Sequence, residues 1–578
     1  MAARRDVVLV LVLIGIAVMV SAAGLVAGYL LLGRAPAIGP EATLVLRVPG
    51  DLAESEPRTP LASLLPGRPT LRETLETLRR ARSDPRISAL VIEPTVAGAL
   101  WAKLQEVRDA IVDFRASGKP VTAYLQFGGE QDYYLATAAD RIVLMPTSPL
   151  DVNGLATYDV FFRGTLDWVG AYPDLLHIGE YKTAANTFTE TGYTPAHRAM
   201  AESLTEDTFE QLVLAIADGR SRSATEVRAL IDRGPFLAED ALAAGLVDAL
   251  AYEDEIGEDP SSWVDAETYG VDDGARLTFG SDLPRVAVIY VVGTIASGHS
   301  QEGLSGSNAG SDTIIEAIRQ VAADDTIDGV VLRIDSPGGS AVASDAIWRE
   351  LTLLGAERPL VASMSDLAAS GGYYVAIAAP TIVAQPATLT GSIGIVAGKF
   401  VMGGALENLG TGIESVSRGH FAELNSPARP YTPEEQQKIA EHMRAFYDQF
   451  VSKVASARGR TPAEIDAVAQ GRVWTGRQAV DVGLVDQLGG LSTAIEVVRG
   501  KAGIDPAADV EIVVYPRRRS VLEAVASPWD TMAAARTTLA ASLLHPEERR
   551  VLAALERPLA AFRGGELLAI MPNVFWMR

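Results

Sequence analysis

Two residue types that do chemistry together lie in different halves of this 578-residue chain. Ser370 lies in DLAASGGYYVAIA (366–378), where a polar turn gives way to an apolar, helix-like run. Lys182 lies in HIGEYKTAANTF (177–188), among apolar and small residues. A serine hydroxyl is a weak nucleophile until a neighbouring base takes its proton, and a neutral lysine amine is such a base. The pair is therefore suited to acyl transfer.

Ser370 also has a structural interpretation. Serine is a preferred N-cap residue, and Ser370 directly precedes the predicted helix. A capping serine needs no lysine partner. The rest of the chain has to distinguish the two roles.

The sequence contains one pattern twice. Short β-branched runs alternate with amphipathic stretches in both halves, and Tyr133 and Tyr373, like Pro146 and Pro386, are separated by 240 positions. Such alternation predicts βα units around a largely parallel, buried sheet. The predicted fold class is α/β, with two tandem copies of one fold.

The two copies differ where chemistry would occur. Opposite Ser370 the first copy has Glu130, and opposite IDSPGGS (334–340) it has IEPTVAG (92–98), without paired glycines. A helix start at this position therefore needs no serine, which favours the nucleophile over the cap.

The lysine shows the reverse pattern. At the 240-residue offset Lys182 falls opposite Ala422, and a slip of two residues would set it opposite His420. Neither alignment yields a second lysine. His420 remains an alternative base, although a lone histidine there is also consistent with an exposed loop.

A lysine base needs a lowered pKa, because the pKa of a free lysine is about 10.4. Burial between two domains lowers it, since burial disfavours the charged amine. Gly338, Gly339 and Gly371 have no side chain to keep a substrate carbonyl away from the backbone. Their N–H groups are candidate oxyanion donors, an effect commonly worth about 2.7–4 kcal/mol per donor.

Composition excludes several classes. With 48% hydrophobic and 21% charged residues the chain is typical of a folded protein, and a net charge of −23 argues against nucleic acid as a partner. There is no cysteine, which removes thiol nucleophiles and thiolate metal sites. The six histidines show no H-E-x-x-H spacing, and there is no G-x-S-x-G elbow. We therefore expect no metal and no cofactor.

The N-terminus predicts a membrane anchor. Arg4 and Arg5 precede an uncharged stretch over 7–32, which at 1.5 Å per residue can cross a hydrocarbon core of about 30 Å. A cleavable signal peptide is the alternative, although its apolar region is normally about 7–15 residues. The positive-inside rule keeps the two arginines in the cytoplasm and the bulk of the chain on the far side.

The predicted organisation has four parts. An acidic segment over 253–276 is interpreted as the connection between the repeats. The tail is predicted to form a packed pair of helices, or to lie on a membrane surface through its arginine cluster at 517–519 and its apolar end. The parts are a membrane anchor over 1–40, a first repeat over 41–275, a second repeat over 276–510 and a C-terminal helical tail over 511–578.

Taken together, these motifs resemble a known family. The ordered set IDSPGGS, ASGGYYVA and TGSIGI (390–395), with GEYK in the first copy and the N-terminal anchor, is similar to the long, two-repeat form of the signal peptide peptidase A family, the protease IV type. The resemblance covers the chain up to about residue 510. It implies a ClpP/crotonase-like fold and a Ser–Lys dyad that cleaves remnant signal peptides within or near a membrane, without a cofactor.

The resemblance also implies roles for single residues. Ser370 would be the nucleophile and Lys182 the general base, with the backbone of the three glycines as the oxyanion hole. Ser392 would orient the lysine or shape the pocket. The family further implies a homotetramer in the inner (cytoplasmic) membrane, with its catalytic domains on the outer, periplasmic side and peptides as substrates.

Two other functions stay open from the sequence. Crotonase-like enzymes acting on acyl-CoA thioesters share the implied fold and use glycine-rich backbone without a serine nucleophile. A non-catalytic membrane scaffold would account for the anchor and the acidic surface. It gives no reason for a serine in one copy and a lysine in the other.

Overall fold

The computed structural model describes residues 38–50, 52–55, 69–96, 99–257, 262–274, 283–303, 306–517, 566–572 and 576–577. The anchor predicted over 7–32 lies outside these residues. Among the helices that are described, none is both long and apolar enough to span a bilayer.

The first repeat is built around a six-stranded parallel sheet. The described strands of the whole repeat, inside and outside this sheet, are β1 (Ala42–Pro49), β2 (Ile87–Thr95), β3 (Val121–Leu125), β4 (Gly128–Gly129), β5 (Arg141–Leu144), β6 (Leu150–Asp151), β7 (Thr157–Tyr158), β8 (Tyr172–Ile178), β9 (Ala249–Leu250) and β10 (Trp263–Asp265). Its helices are α1 (Leu71–Ser83), α2 (Trp101–Arg115), α3 (Glu130–Ala136), α4 (Arg163–Val169), α5 (Asn186–Thr189), α6 (Pro195–Gly219), α7 (Ala224–Ile231), α8 (Ala238–Ala243) and α9 (Ala266–Gly274). The strand order across the sheet is β10-β1-β2-β3-β5-β9.

The second repeat has the same plan. Its strands are β11 (Arg285–Val292), β12 (Thr294–Ala296), β13 (Glu302–Gly303), β14 (Gly306–Gly310), β15 (Ile327–Ser336), β16 (Gly338–Ser340), β17 (Leu360–Ala369), β18 (Thr381–Ala384), β19 (Leu389–Gly391), β20 (Ile395–Val401), β21 (Val473–Thr475), β22 (Gln487–Leu488) and β23 (Glu511–Tyr515). Its helices are α10 (Ser311–Ala322), α11 (Ala341–Glu357), α12 (Gly371–Ala376), α13 (Gly403–Asn408), α14 (Pro433–Arg458), α15 (Pro462–Asp466), α16 (Gly476–Asp481) and α17 (Leu491–Ala502). Its main sheet runs β21-β19-β17-β15-β11-β23, with β18 beside β17 and β22 beside β18.

Matching hydrogen bonds confirm the tandem repeat. The Tyr133 hydroxyl donates to the Leu246 carbonyl at 2.7 Å, and the Tyr373 hydroxyl donates to the Leu484 carbonyl at 2.9 Å. Both tyrosines are fully buried on the short helix that follows a central strand. The central strands are apolar runs because a parallel sheet is covered on both faces. The α/β fold class with two copies is therefore confirmed.

A third sheet joins the two repeats. Its order is β13-β14-β12-β16-β24-β20-β8, where β24 (Leu568–Ile570) comes from the C-terminal tail. Strand β8 of the first repeat pairs antiparallel with β20 of the second, from Ile178 opposite Ile395 to Tyr172 opposite Val401. The chain just after β8 is thereby held against the second repeat.

A buried ion cluster also crosses between the repeats. The Arg333 guanidinium on β15 contacts Glu54 at 2.8 Å and Glu106 at 2.6 Å, and all three side chains are at most 2% exposed. Beside it, Lys103 on α2 contacts Asp335 at 2.8 Å. Each cation belongs to one repeat and its carboxylates to the other.

Three predictions about the parts of the chain need correction. The acidic segment 253–276 is not only a connection, because β10 and α9 lie within it and β10 pairs with β1 in the first sheet. The second repeat continues beyond residue 510, since β23 pairs with β11 in the same way. The described part of the tail contains strands rather than helices, namely β23, β24 and β25 (Trp576–Met577). β23 pairs with β11 and β25 with β7, whereas β24 lies inside the third sheet, between β16 and β20. Residues 518–565 lie outside the described part.

Candidate active site

Ser370 lies between the end of β17 and the start of α12. Ser370 does begin the helix, as its N-cap residue, but its side chain makes no capping hydrogen bond to it. Its backbone has φ 56° and ψ −111°, a conformation that costs a non-glycine residue about 1–3 kcal/mol. Hydrogen bonds from its N–H to the Gly391 carbonyl and from the Tyr374 N–H to its own carbonyl, both 2.8 Å, hold this conformation.

Lys182 comes to the same place from the first repeat. It follows β8 and directly precedes a 3-10 turn, Thr183–Ala185. The Tyr181 N–H donates to the Gln470 carbonyl at 2.8 Å, which fixes this segment against the second repeat. The pairing of β8 with β20 is thus what carries the lysine to the serine.

The two side chains are in hydrogen-bond contact. The Lys182 Nζ lies 2.7 Å from the Ser370 Oγ, and both residues have no exposed surface. The same nitrogen lies 2.8 Å from the Ser392 carbonyl oxygen and 3.0 Å from the Ser392 Oγ. The sequence-predicted residues Ser370, Lys182 and Ser392 are therefore brought together.

Burial decides the charge of the amine. The pKa of Lys182 is held well below its ordinary value because burial disfavours the ammonium form. The three hydrogen-bond partners of Nζ are two hydroxyls and a carbonyl, with no carboxylate among them. A neutral amine fits this set, since it accepts the Ser370 hydroxyl proton and donates its two N–H groups to Ser392.

Ser392 has its own backbone constraint. It lies between β19 and β20 with φ 50°, and its N–H donates to the Arg472 carbonyl at 2.7 Å. Both of its oxygens face the lysine amine. The residue is thus fixed from the second repeat as tightly as Ser370.

The three predicted oxyanion glycines differ in their surroundings. The Gly338 N–H donates to the Ser336 hydroxyl at 3.1 Å, so it is already engaged. Gly339 lies on β16 opposite Ala569 of β24. Gly371 is the first residue of α12, where a backbone N–H has no partner inside the helix. The predicted donors that the Ser336 hydroxyl does not engage are therefore the N–H of Gly371 and that of Gly339, which pairs with the tail strand β24.

Some supporting residues were not identified from the sequence. A Cβ on Gly471 would lie 2.5 Å from the Lys182 Cα, and a Cβ on Gly394 would lie 3.0 Å from the Lys182 Cδ. Both glycines let the backbone approach the lysine, and Ser336 orients the Gly338 N–H. Gly394 lies inside the TGSIGI motif, and this motif was the only sequence signal that could have pointed to any of these supporting residues.

The alternative base does not enter the site. The His420 side chain is 69% exposed and faces Glu434 at 3.0 Å. In the first repeat, the Glu130 carboxylate at the position of Ser370 accepts the Asn153 N–H at 3.2 Å. Within the described residues, the Ser–Lys contact therefore occurs once per chain.

Comparisons with known proteins match both repeats of the chain. The model of peptidase family S49 matches residues 113–261 and 352–505, which contain Lys182 and Ser370 respectively. The chain is 34% identical to serine protease SPPA, chloroplastic, of Arabidopsis thaliana, covering 79% of this chain and 69% of that protein. It is 33% identical to protease 4 of Salmonella typhi, covering 74% of this chain and 71% of that protein.

Among solved structures, a ClpP1 mutant from Listeria monocytogenes matches with a TM-score of 0.24 at 15% identity, covering 36% of this chain and 94% of that chain. That value is too low to bear on the fold, and the ClpP/crotonase-like label stays a prediction. The family model, by contrast, matches both repeats, and the two relatives are matched over more than two thirds of their length. The chain therefore belongs to peptidase family S49 and is a serine endopeptidase of the SppA type.

Proposed function

We propose that the chain is a membrane-tethered endopeptidase that degrades remnant signal peptides and other apolar peptides through a dyad of Ser370 and Lys182. The observation that carries this proposal is the 2.7 Å contact between a solvent-free amine and a solvent-free hydroxyl. An apolar cluster beside the lysine, which includes Ala184, Ala185 and Val396, supports an apolar substrate.

The reaction begins with proton transfer. Neutral Lys182 takes the Ser370 hydroxyl proton while Oγ attacks the substrate carbonyl carbon, and the N–H groups of Gly339 and Gly371 stabilise the oxyanion. The resulting ammonium has three N–H donors, which match the Ser370 Oγ and the two oxygens of Ser392. Lys182 then protonates the leaving amine, and the same amine activates the water that releases the acyl-enzyme.

Substitution of the dyad tests this mechanism. Ser370→Ala and Lys182→Ala should each reduce hydrolysis of an apolar peptide by at least about 10³-fold and leave the circular dichroism spectrum unchanged. A fluorophosphonate should label the parent and the exposed-serine control Ser415→Ala, but not Ser370→Ala. Turnover retained in Lys182→Ala would exclude the dyad, and an unlabelled parent would favour acyl-CoA chemistry.

Ser392 is a positioning residue in this mechanism, and its test is a pH profile. Activity should fall as pH decreases through the lowered pKa of Lys182, because the ammonium cannot accept a proton. Ser392→Ala removes one acceptor of the ammonium form, so the acidic limb should move to lower pH while kcat falls. A reduced rate with an unmoved limb would indicate a purely structural role.

The proposal includes location and assembly. We propose an anchor over 7–32 in the inner (cytoplasmic) membrane, with Arg4 and Arg5 in the cytoplasm and the repeats on the outer side, and a homotetramer. The length and charge pattern of the N-terminus support the anchor. Resistance of the chain to alkaline extraction from membranes tests the anchor. Protease accessibility in spheroplasts tests the orientation of the repeats, and light scattering in detergent tests the homotetramer.

A further inference from the structure

Two strands of the second repeat change register just before the active site. On β15 and β17, Ile334 lies opposite Met364, but the next pair is Ser336 opposite Ala368. One residue of β15 therefore faces three residues of β17, and the ladder bulges there. Bulges of this kind re-aim the chain beside active sites. Beyond the bulge, β15 leads into residues 338–339 of β16, here called the glycine segment, and β17 leads to the nucleophile.

The second copy has one residue more than the first in this region. The Leu90 N–H donates to the Pro120 carbonyl at 3.0 Å, and the Val330 N–H donates to the Pro359 carbonyl at 2.8 Å, so the two prolines are structural equivalents. They are 239 positions apart, whereas the matched buried tyrosines described above are 240 apart. The bulge lies within this stretch, so the additional residue is accommodated next to the nucleophile.

A lysine of the first repeat reaches into the bulge. The Lys103 Nζ donates to the Asp335 carboxylate at 2.8 Å and lies 3.5 Å from the Asp366 carboxylate. The other oxygen of Asp335 accepts the Leu367 N–H at 3.2 Å. One ammonium thus ties β15 to β17 at the bulge. The Lys103 and Asp366 side chains are only 13% and 6% exposed, so little water competes for these contacts.

The backbone of Lys103 makes a separate contact. Its N–H lies in the first turn of α2, where backbone donors have no partner inside the helix, and the N-cap residue Leu100 offers no side-chain acceptor. The Asp366 carboxylate of the other repeat accepts this N–H at 3.0 Å. This contact docks α2 against β17 without the lysine side chain. The ammonium can therefore be removed by mutation while the docking contact stays.

Two buried lysines beside the site have opposite charge states. Burial lowers the pKa of Lys103, but the Asp335 and Asp366 carboxylates raise it by more, so its amine stays an ammonium. Lys182 has two hydroxyls and a carbonyl as partners, and burial holds its pKa low. Lys103 is therefore unsuited to act as a base and suited to hold two carboxylates in place.

The first copy carries none of this charge. The positions equivalent to the two aspartates are Thr95 and, at an offset of 240 or 239, Gln126 or Phe127. The position equivalent to the lysine is Ala343. The charged cluster at the bulge thus has the same one-sided distribution as the proposed dyad, and the fold that the two copies share does not require it.

Past the bulge, the two active-site segments pack through their backbones. A Cβ on Gly371 would lie 3.1 Å from the Gly338 Cα, and one on Gly372 would lie 2.7 Å from the Ser336 carbonyl oxygen. A change in the bulge therefore shifts the start of α12 against the glycine segment. Misplacement of reacting groups by about 1 Å can cost about 10²-fold in rate.

We propose that Lys103 is a positioning residue: by holding the two aspartates of the bulge, it fixes where Ser370 lies relative to the glycine segment. This inference rests on the proposed function of Ser370 as the nucleophile. The Nζ of Lys103 contacts carboxylates of the bulge and not the dyad, so it acts through the backbone that it aligns.

Lys103→Met tests the proposal, because it removes the ammonium and keeps the N–H contact to Asp366. The assay is run near pH 8, where Asp366 is ionised, since burial raises its pKa only to about 6. For an apolar peptide, kcat should fall by at least about tenfold and KM should stay within about twofold, because the apolar cluster beside Lys182 is unaltered. Fluorophosphonate labelling of Ser370 should slow in parallel. An unchanged kcat overturns the proposal.

A matched variant separates positioning from docking. Arg477 also crosses between the repeats, with its guanidinium 2.8 Å from the Asp207 carboxylate, and the Asp207 side chain is 10% exposed. Arg477→Met should lower the midpoint of thermal denaturation but leave kcat per folded chain at the parental value. If it lowered kcat as much as Lys103→Met does, weakened docking would account for both variants and the positioning role would be wrong.

Asp335→Asn decides the question if Lys103→Met does not fold. Asparagine at this position still accepts the Leu367 N–H but loses the ion pair, so kcat should again fall while KM stays the same. Parental kcat in folded Asp335→Asn would contradict the proposal. The proposed function fails separately: if Ser370→Ala hydrolysed the peptide like the parent, the nucleophile itself would be misassigned, whatever the bulge variants did.

Discussion

At the scale of single residues, burial of the Lys182 amine reduces the stability of the folded chain. Burial lowers its pKa in the folded chain, so below about pH 10.4 the unfolded chain binds a proton that the folded chain does not. Folding therefore becomes less favourable as pH decreases from about 10.4 towards the lowered pKa. The lysine opposes folding throughout the neutral range.

Replacing Lys182 should reveal this penalty. Lys182→Met should abolish activity, and its free energy of unfolding relative to the parent should be highest near pH 7 and decrease as pH approaches 10. Urea denaturation at several pH values measures the difference. The exposed control Lys438→Met should give a difference that hardly changes with pH. If the difference in free energy of unfolding between Lys182→Met and the parent were equally independent of pH, burial of a neutral amine would be contradicted.

The proposed dyad could be inferred from the sequence because the repeat provides its own comparison. Ser370 and Lys182 stood out since Glu130 and Ala422 occupy the equivalent positions. Gly471 could not be identified, because its importance comes from a tertiary contact with a residue of the other repeat. The engaged N–H of Gly338 was equally hidden, since it depends on the rotamer of Ser336.

At the scale of elements, the site depends on close backbone approach. The segment around Gly471 of the second repeat lies against the backbone of Lys182, and Gly471 has φ +77°. Strand β8 brings Lys182 to that segment by leaving its own repeat and pairing with β20. Its sequence YPDLLHI carries no information about which sheet it joins.

Two glycines allow this close approach to be measured. Gly471→Ala and Gly503→Ala both force alanine into a left-handed conformation, at a cost of about 1–2 kcal/mol. A Cβ on Gly503 would have no neighbour within 4 Å, whereas one on Gly471 would be 2.5 Å from the Lys182 Cα. The free energy of unfolding should therefore fall by about 1–3 kcal/mol more in Gly471→Ala than in Gly503→Ala, as it does at overpacked sites. Gly471→Ala should also lose activity. Equal losses in thermal denaturation would exclude the contact.

At the scale of the whole molecule, buried charge holds the repeats together. Arg333 lies between Glu54 and Glu106 without solvent, and the adjoining Lys103 contacts Asp335, which leads into the glycine segment. Removing one member of such a cluster leaves charge buried without a partner. We therefore expect the cluster to specify how the repeats dock, and with it the distance between Lys182 and Ser370.

Arg333→Met should lower the free energy of unfolding by about 3–5 kcal/mol, because two carboxylates lose their shared cation. The control Arg319→Met removes a guanidinium that is 67% exposed from its contact with Glu350, and should change the free energy of unfolding far less, because water and salt screen an exposed ion pair. Equilibrium denaturation compares the two. A loss in Arg333→Met as small as that of the control would show that water reaches the cluster.

Sequence reasoning predicted the tandem α/β organisation but not the tail. The repeat could be recognised because the alternating β-branched and amphipathic segments of both copies are long and regular. Strand β24 has three residues, and its partners on β16 and β20 lie in distant parts of the chain. A short apolar run of this kind has no periodicity of its own, so only the tertiary structure decides whether it is a strand or a helix.

The lysine that reaches the serine from the other repeat has a consequence for biosynthesis. Ser370 emerges 188 positions after Lys182, which at ribosomal speeds of about 5–20 residues per second is a delay of about 10–40 s. On the proposed dyad, a nascent or prematurely terminated chain holds a base without a nucleophile. Hydrolytic capacity therefore appears only once translation has passed the second repeat and both halves have docked, so incomplete copies cannot damage their neighbours.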